Sequence, residues 1–135
     1  MRTITPLMDR WSYAVCRLQG VSAPHAESWT PVPLPHVWNQ ADPQAQGPRL
    51  YRRTLTLAPA EGRALFLCFE AVAGHCMVWL NGVLLGQHKG GYSRFCLPLG
   101  RAARAGENEL TVMTDNTRDG SWIPTGGDFN NFGGI

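Results

Sequence analysis

The residues best suited to chemistry lie near the end of the chain, in the stretch Gly126-Gly127-Asp128-Phe129-Asn130-Asn131-Phe132-Gly133-Gly134-Ile135. Glycines on both sides permit tight turns. Asp128, Asn130 and Asn131 offer a carboxylate and amides, groups that hydrogen-bond hydroxyls. Trp122 and Phe129 add flat apolar faces against which the C–H side of a sugar ring packs. The combination suits contact with a carbohydrate; an ordinary structural loop is the alternative reading.

Other chemistries find less support. Cleavage of a glycosidic bond needs two carboxyl groups facing each other across it. The ten acids are scattered, and most stand at turns or strand ends, where solvation or capping accounts for them. Glu70 differs because it ends an apolar run, and a buried carboxylate requires a partner. It is expected to make a structural hydrogen bond to a neighbouring loop. His25, His36, His75 and His88 are far apart, and neither C-x-x-C nor H-x-x-x-H spacing occurs, so no metal site is expected. No G-x-S-x-G elbow is present. Gly90–Gly91 lacks the helix and lysine of a phosphate loop and reads as a bend. No catalytic residue, metal or cofactor is assigned.

The elements that must carry these residues read as all-β. Trp11 to Leu18 forms a first strand and Leu50 to Leu57 another, while Ala64 to Val72 is apolar on both faces, as in a strand central to a sandwich. Asn81–Gly82 between Cys76–Leu80 and Val83–Gly86 predicts a hairpin with a type I′ turn, both residues at positive φ. Arg94 to Leu99 alternates with Phe95, Leu97 and Leu99 on one side, and Glu109 to Asp115 with Leu110, Val112 and Thr114 on one side. Arg101 to Ala105 has room for about one helical turn between glycines. Val21–Gln46 and Asn116–Asn131 are strand-poor, and loops on a rigid sandwich are where binding residues are carried.

Composition bounds the rest. With 135 residues and 44% apolar content, the chain is the size of one domain with its own core. A net charge of +2 and dispersed arginines argue against nucleic acid as a partner. No apolar run reaches the ~20 residues that span a bilayer, and no apolar signal core follows Met1. Cys16, Cys68, Cys76 and Cys96 sit among apolar residues without C-x-x-C pairing, so they read as reduced core residues and the protein as cytoplasmic. Export with a signal peptide already removed is the alternative.

Taken in order, several segments resemble one family. They are Trp29-Thr-Pro-Val-Pro-Leu-Pro-His36-Val-Trp-Asn39, Leu50-Tyr-Arg-Arg53, Phe69-Glu-Ala-Val72, Val78-Trp-Leu-Asn-Gly82, Leu85-Gly-Gln-His-Lys-Gly-Gly-Tyr92, Glu107-Asn-Glu-Leu110, Asp115-Asn116 and Asp128 to Ile135. The chain resembles the sugar-binding jelly-roll domain that opens family 2 glycoside hydrolases, the β-galactosidases, β-glucuronidases and their relatives. That resemblance implies a galactose-binding-domain-like jelly-roll β-sandwich. It makes residues 1–135 a single N-terminal domain ending before its last strand, without the immunoglobulin-like domain and the TIM barrel that bears two catalytic glutamates. The implied parent is a retaining, β-galactosidase-like enzyme acting on terminal β-glycosides, a homo-oligomer to which this domain adds a substrate-contacting loop and a surface for companion domains. Within the family the aspartate matching Asp128 hydrogen-bonds sugar hydroxyls. Asn39, Asn116 and Asn131 are further substrate-binding candidates. A freestanding carbohydrate-binding module, or a domain of a β-glucuronidase or β-mannosidase, are the alternatives.

Overall fold

Alternating apolar and polar residues, broken by glycine and proline, give strands as the main regular structure among the described residues. The computed structural model describes residues 2–16, 24–38, 40, 44–91, 93–117 and 134–135. Its strands are β1 (Trp11–Val15), β2 (Thr30–Val32), β3 (Pro48–Leu57), β4 (Phe66–Phe69), β5 (His75–Leu80), β6 (Val83–Lys89), β7 (Phe95–Pro98) and β8 (Gly106–Asp115). A single 3-10 turn, Gly100–Ala102, lies where a helical turn was expected. No helix among the described residues is long and apolar enough to cross a membrane.

The strands make two antiparallel sheets, a six-stranded one in the order β2-β1-β3-β8-β5-β6 and a two-stranded one, β4-β7. The backbone of the large sheet is the β3–β8 pair, in register from Pro48↔Asp115 to Leu57↔Gly106 without a bulge. Side chains on its inner face, Tyr51, Leu55, Cys76, Val78, Leu80, Leu110 and Val112, pack against Leu67 and Phe69 of β4 and against Leu97 of β7. Gly86 makes room for this contact, because a Cβ there would lie 2.8 Å from a Leu97 methyl. A second, smaller core covers the outer face, where Ala14, Cys16, Leu50, Trp79 and Met113 pack beneath Ala26 and Trp29. The Arg52 guanidinium lies over the Trp29 ring, 4.1 Å from its centroid.

The β5–β6 hairpin turns as the Asn-Gly pair predicts, with φ of 52° at Asn81 and 79° at Gly82. Asn81 also ties the turn to the sheet. Its Nδ2 donates to Asn108 Oδ1 at 2.8 Å, and its Oδ1 accepts from the Glu109 N–H at 2.9 Å. Asn108, almost fully buried, has all its hydrogen-bonding capacity used by Asn81 and the backbone of Arg104 and Gly106.

Three expectations change. Ala64–Val72 is not a strand covered on both faces: only Phe66–Phe69 is extended, and it alternates, with Leu67 and Phe69 buried and Phe66 and Cys68 exposed. Its outward face is apolar yet open to solvent, which made the run look doubly buried. Cys68 and Cys96 are not reduced core residues. They face each other across β4 and β7, both exposed, and are joined in a disulfide. Cys16 and Cys76 are buried and free, as expected. Glu70 is no buried carboxylate either; it is exposed and faces the guanidinium of Arg94 at 3.4 Å. The described part of the first strand is Trp11–Val15, and Leu18, where it was expected to end, lies outside the described residues.

Candidate functional site

Strand direction brings several strand ends to one end of the sandwich. The pairs Val15↔Arg49, Pro48↔Asp115, His75↔Asp115 and His75↔Lys89 bring together the ends of β1, β6 and β8 and the starts of β3 and β5. At this pole stand Cys16, which follows β1, residues 44–47 before β3, the turn before β5, and Asn116 and Thr117, which follow β8. The opposite pole carries the tight Asn81–Gly82 turn and the 3-10 turn.

Beneath the loop pole, between β1, β3 and the segment before Asn39, lies a cluster of polar aromatic residues. Tyr51 is fully buried on β3, and its hydroxyl lies 2.6 Å from His36 Nδ1. Burial holds the Tyr51 phenol far above its usual range and pushes the His36 imidazole below its own. Both shifts favour the neutral pair, so Tyr51 O–H donates and His36 Nδ1 accepts. Tyr13 stands next to both rings, at centroid distances of 4.9 Å from His36 and 5.5 Å from Tyr51. Arg49 donates through Nε to the Tyr13 hydroxyl at 3.0 Å and through Nη1 to the Pro48 carbonyl at 3.1 Å. Its guanidinium also lies 5.6 Å from the centre of the Trp38 ring, which stacks on Tyr13. The cluster thus fixes His36–Trp38 onto the sheet by hydrogen bonds and ring contacts together.

That segment in turn receives the end of the chain. Val37 and Gly134 form an isolated antiparallel bridge, flanked by His36 N–H to Ile135 O at 2.9 Å and Ile135 N–H to His36 O at 3.2 Å. A Cβ on Gly134 would run into the His36 carbonyl oxygen, so this approach admits only glycine. The Ala73 N–H donates to Gly134 O at 3.0 Å.

Of the sequence-predicted site residues, only Asn116 lies within the described part; Asp128, Asn39 and Asn131 lie outside it. Asn116 does not face outward toward a ligand. It is fully buried, its Oδ1 accepting from the Gly47 N–H and its Nδ2 donating to the Ala45 carbonyl, both at 3.1 Å. It fastens the end of β8 to the chain ahead of β3. An amide sealed beneath the surface hydrogen-bonds the backbone that covers it. Among the described residues no three His, Cys, Asp or Glu side chains gather as metal ligands. Sequence reading did not anticipate the Tyr13–His36–Arg49–Tyr51 cluster. The only signals were Tyr51 at an inward strand position and His36 ahead of Trp38, both compatible with plain core packing.

Loops on a rigid antiparallel sandwich are a common place for ligand contacts. The model of the glycosyl hydrolases family 2 sugar binding domain matches residues 14–135, and the chain belongs to this family. It is 35% identical over 112 residues to a β-glucuronidase of Bacteroides fragilis, a match covering 77% of this chain and 16% of that protein. It is 29% identical over 147 residues to a β-galactosidase of Thermoanaerobacterium thermosulfurigenes, covering all of this chain and 20% of the relative. The solved structure of Bacteroides uniformis β-glucuronidase 2, covalently bound to cyclophellitol-6-carboxylate aziridine, superposes with a TM-score of 0.82 at 30% identity, over 97% of this chain and 16% of that one. The chain therefore spans a fifth or less of the length of these relatives. Its architecture is the galactose-binding-domain-like jelly roll implied by the sequence.

Proposed function

We propose that this chain is the non-catalytic, substrate-shaping domain of a larger retaining glycosidase that acts on terminal β-glycosides, with Asp128 hydrogen-bonding the sugar. The observation that carries this reading is the family match running through Asp128 to Ile135, with both flanks of that stretch built into the loop pole. Asn39 and Asn131 act as further sugar contacts, and the companion domains supply the two carboxyl groups of the reaction. The sugar is a β-galactoside or a β-glucuronide, for the similar proteins bear both names. Asn116 holds the pole together through Gly47 and Ala45.

The test is Asp128→Asn in the enzyme encoded by the complete reading frame, assayed on nitrophenyl β-galactoside and β-glucuronide. Asparagine keeps the shape but loses the charge, weakening hydrogen bonds to hydroxyls by about 1.5–3 kcal/mol. A loss of roughly ten- to hundredfold in kcat/KM, with an unchanged melting temperature, is expected on the preferred sugar. Near-normal kcat/KM removes Asp128 from the active site, as does a loss fully explained by a lower melting temperature.

A further inference from the structure

The outward face of β4–β7 carries three cross-strand pairs in a row. Phe66 stands opposite Pro98, Cys68 opposite Cys96, and one step beyond the ladder Glu70 meets Arg94 at 3.4 Å. The middle pair is the disulfide, and both of its cysteines are exposed. Exposed disulfides are the labile ones, open to attack by a thiolate from solvent. Cys16 and Cys76 are buried and free, and burial raises both thiols, so neither competes for exchange. On one side of the disulfide, Phe66, 60% exposed, and Pro98 offer a protein partner an apolar grip. On the other side the charges are unequal: Arg94 is two residues from Cys96, and Glu70 two residues from Cys68. A thiolate departs more readily beside a guanidinium than beside a carboxylate. Among the described strands, β4 and β7 pair only with each other. A two-stranded pair is marginal by itself. This one is held from outside by the disulfide and from inside by Leu67, Phe69 and Leu97 on the core.

We propose that Cys68–Cys96 is a thiol–disulfide exchange site for a protein dithiol, with Cys68 the sulfur attacked and Cys96 the leaving thiolate, and that its opening loosens β4–β7 from the inner core. One thiolate of the dithiol bonds to Cys68 Sγ as the Cys68–Cys96 bond breaks and its electron pair leaves on Cys96. The dithiol's second thiolate then attacks the mixed disulfide, closes the partner's own disulfide and releases Cys68. Two electrons pass from the dithiol to this chain, and the two protons its thiols shed end on Cys68 and Cys96.

The experiment incubates the full-length enzyme with a thioredoxin-type dithiol protein whose second, resolving cysteine is replaced by serine, and locates the trapped mixed disulfide by mass spectrometry. It is expected on Cys68; a mixed disulfide on Cys96, or none, overturns the proposal. With the intact dithiol protein, Arg94→Gln should be reduced about threefold more slowly and Arg94→Lys at nearly the native rate, because only the lysine keeps the charge that favours the leaving thiolate. Equal rates in all three overturn the assignment of Cys96 as leaving group. Once the bond is open, the amides of β4 and β7 should exchange hydrogen at least tenfold faster while those of the β3–β8 ladder keep their protection. The Cys68→Ser/Cys96→Ser variant should show the same pattern without reductant. Unchanged exchange in β4–β7, or an equal loss of protection in β3–β8, overturns the loosening.

Discussion

At the scale of single residues, the chemistry beneath the loop pole is a matter of which groups stay neutral. His36 accepts from a phenol that burial keeps protonated, and burial also lowers its own affinity for a proton. A histidine whose folded pKa lies below its unfolded value of 6.5 stabilises the fold fully above that value. The contribution is lost as pH falls from 6.5 through the folded pKa, where the unfolded chain binds the proton more readily. The groups facing it are Tyr51 and Tyr13, with Arg49 on the far side of Tyr13. The melting temperature should therefore drop between pH 7 and pH 5, and His36→Gln, which cannot titrate, should flatten that drop. A ring titration at or above 6.5 in a proton NMR series contradicts the assignment. Little of this was legible in the sequence. Asn116 became a sugar-contact candidate only through the family resemblance at Asp115-Asn116. Only its distance to Ala45 and Gly47, some seventy positions away, reveals a structural amide.

Among the elements, the legible ones are those whose pattern is local. The Asn81–Gly82 turn needs two residues of positive φ, and the Phe95–Leu97–Leu99 alternation needs only one apolar neighbour, so both could be read directly. The β4–β7 pair could not, for its nature depends on what covers each face. Its outward side carries Phe66, Pro98 and the Cys68–Cys96 bond in the open, and apolar residues there imitate a core. The bond closes a separation of 28 residues, which chain-entropy arguments value at about 3–4 kcal/mol. An exposed disulfide persists in an oxidising compartment and opens in a reducing one. Reduction should accordingly lower the denaturation midpoint by an amount near that figure, and Cys68→Ser should match it without reductant. Iodoacetamide on the folded protein should label two thiols after reduction and none before. Cys16 and Cys76 stay silent, being buried, with the Cys76 thiol pushed up to about 11. An unchanged midpoint on reduction is the contrary result.

For the molecule as a whole, the division of labour is between a scaffold and whatever sits over its pole. Retaining hydrolysis needs two carboxyl groups about 5 Å apart. The carboxylates here that meet a charged partner meet arginines: Asp9 with Arg53 and Arg10, and Glu70 with Arg94. The 135-residue chain alone should turn over neither nitrophenyl β-galactoside nor β-glucuronide. Measurable turnover that disappears on replacing one of its acids would refute this. The unbroken β3–β8 ladder bears on heredity as much as on catalysis. Its ten paired positions lie below the pole, where Gly47 and Ala45 hold Asn116, and His36 and Ala73 hold the Gly134–Ile135 end. The ladder's register is set by β3 and β8 themselves, from Pro48↔Asp115 to Leu57↔Gly106. Two descendants can thus inherit the same foundations unaltered.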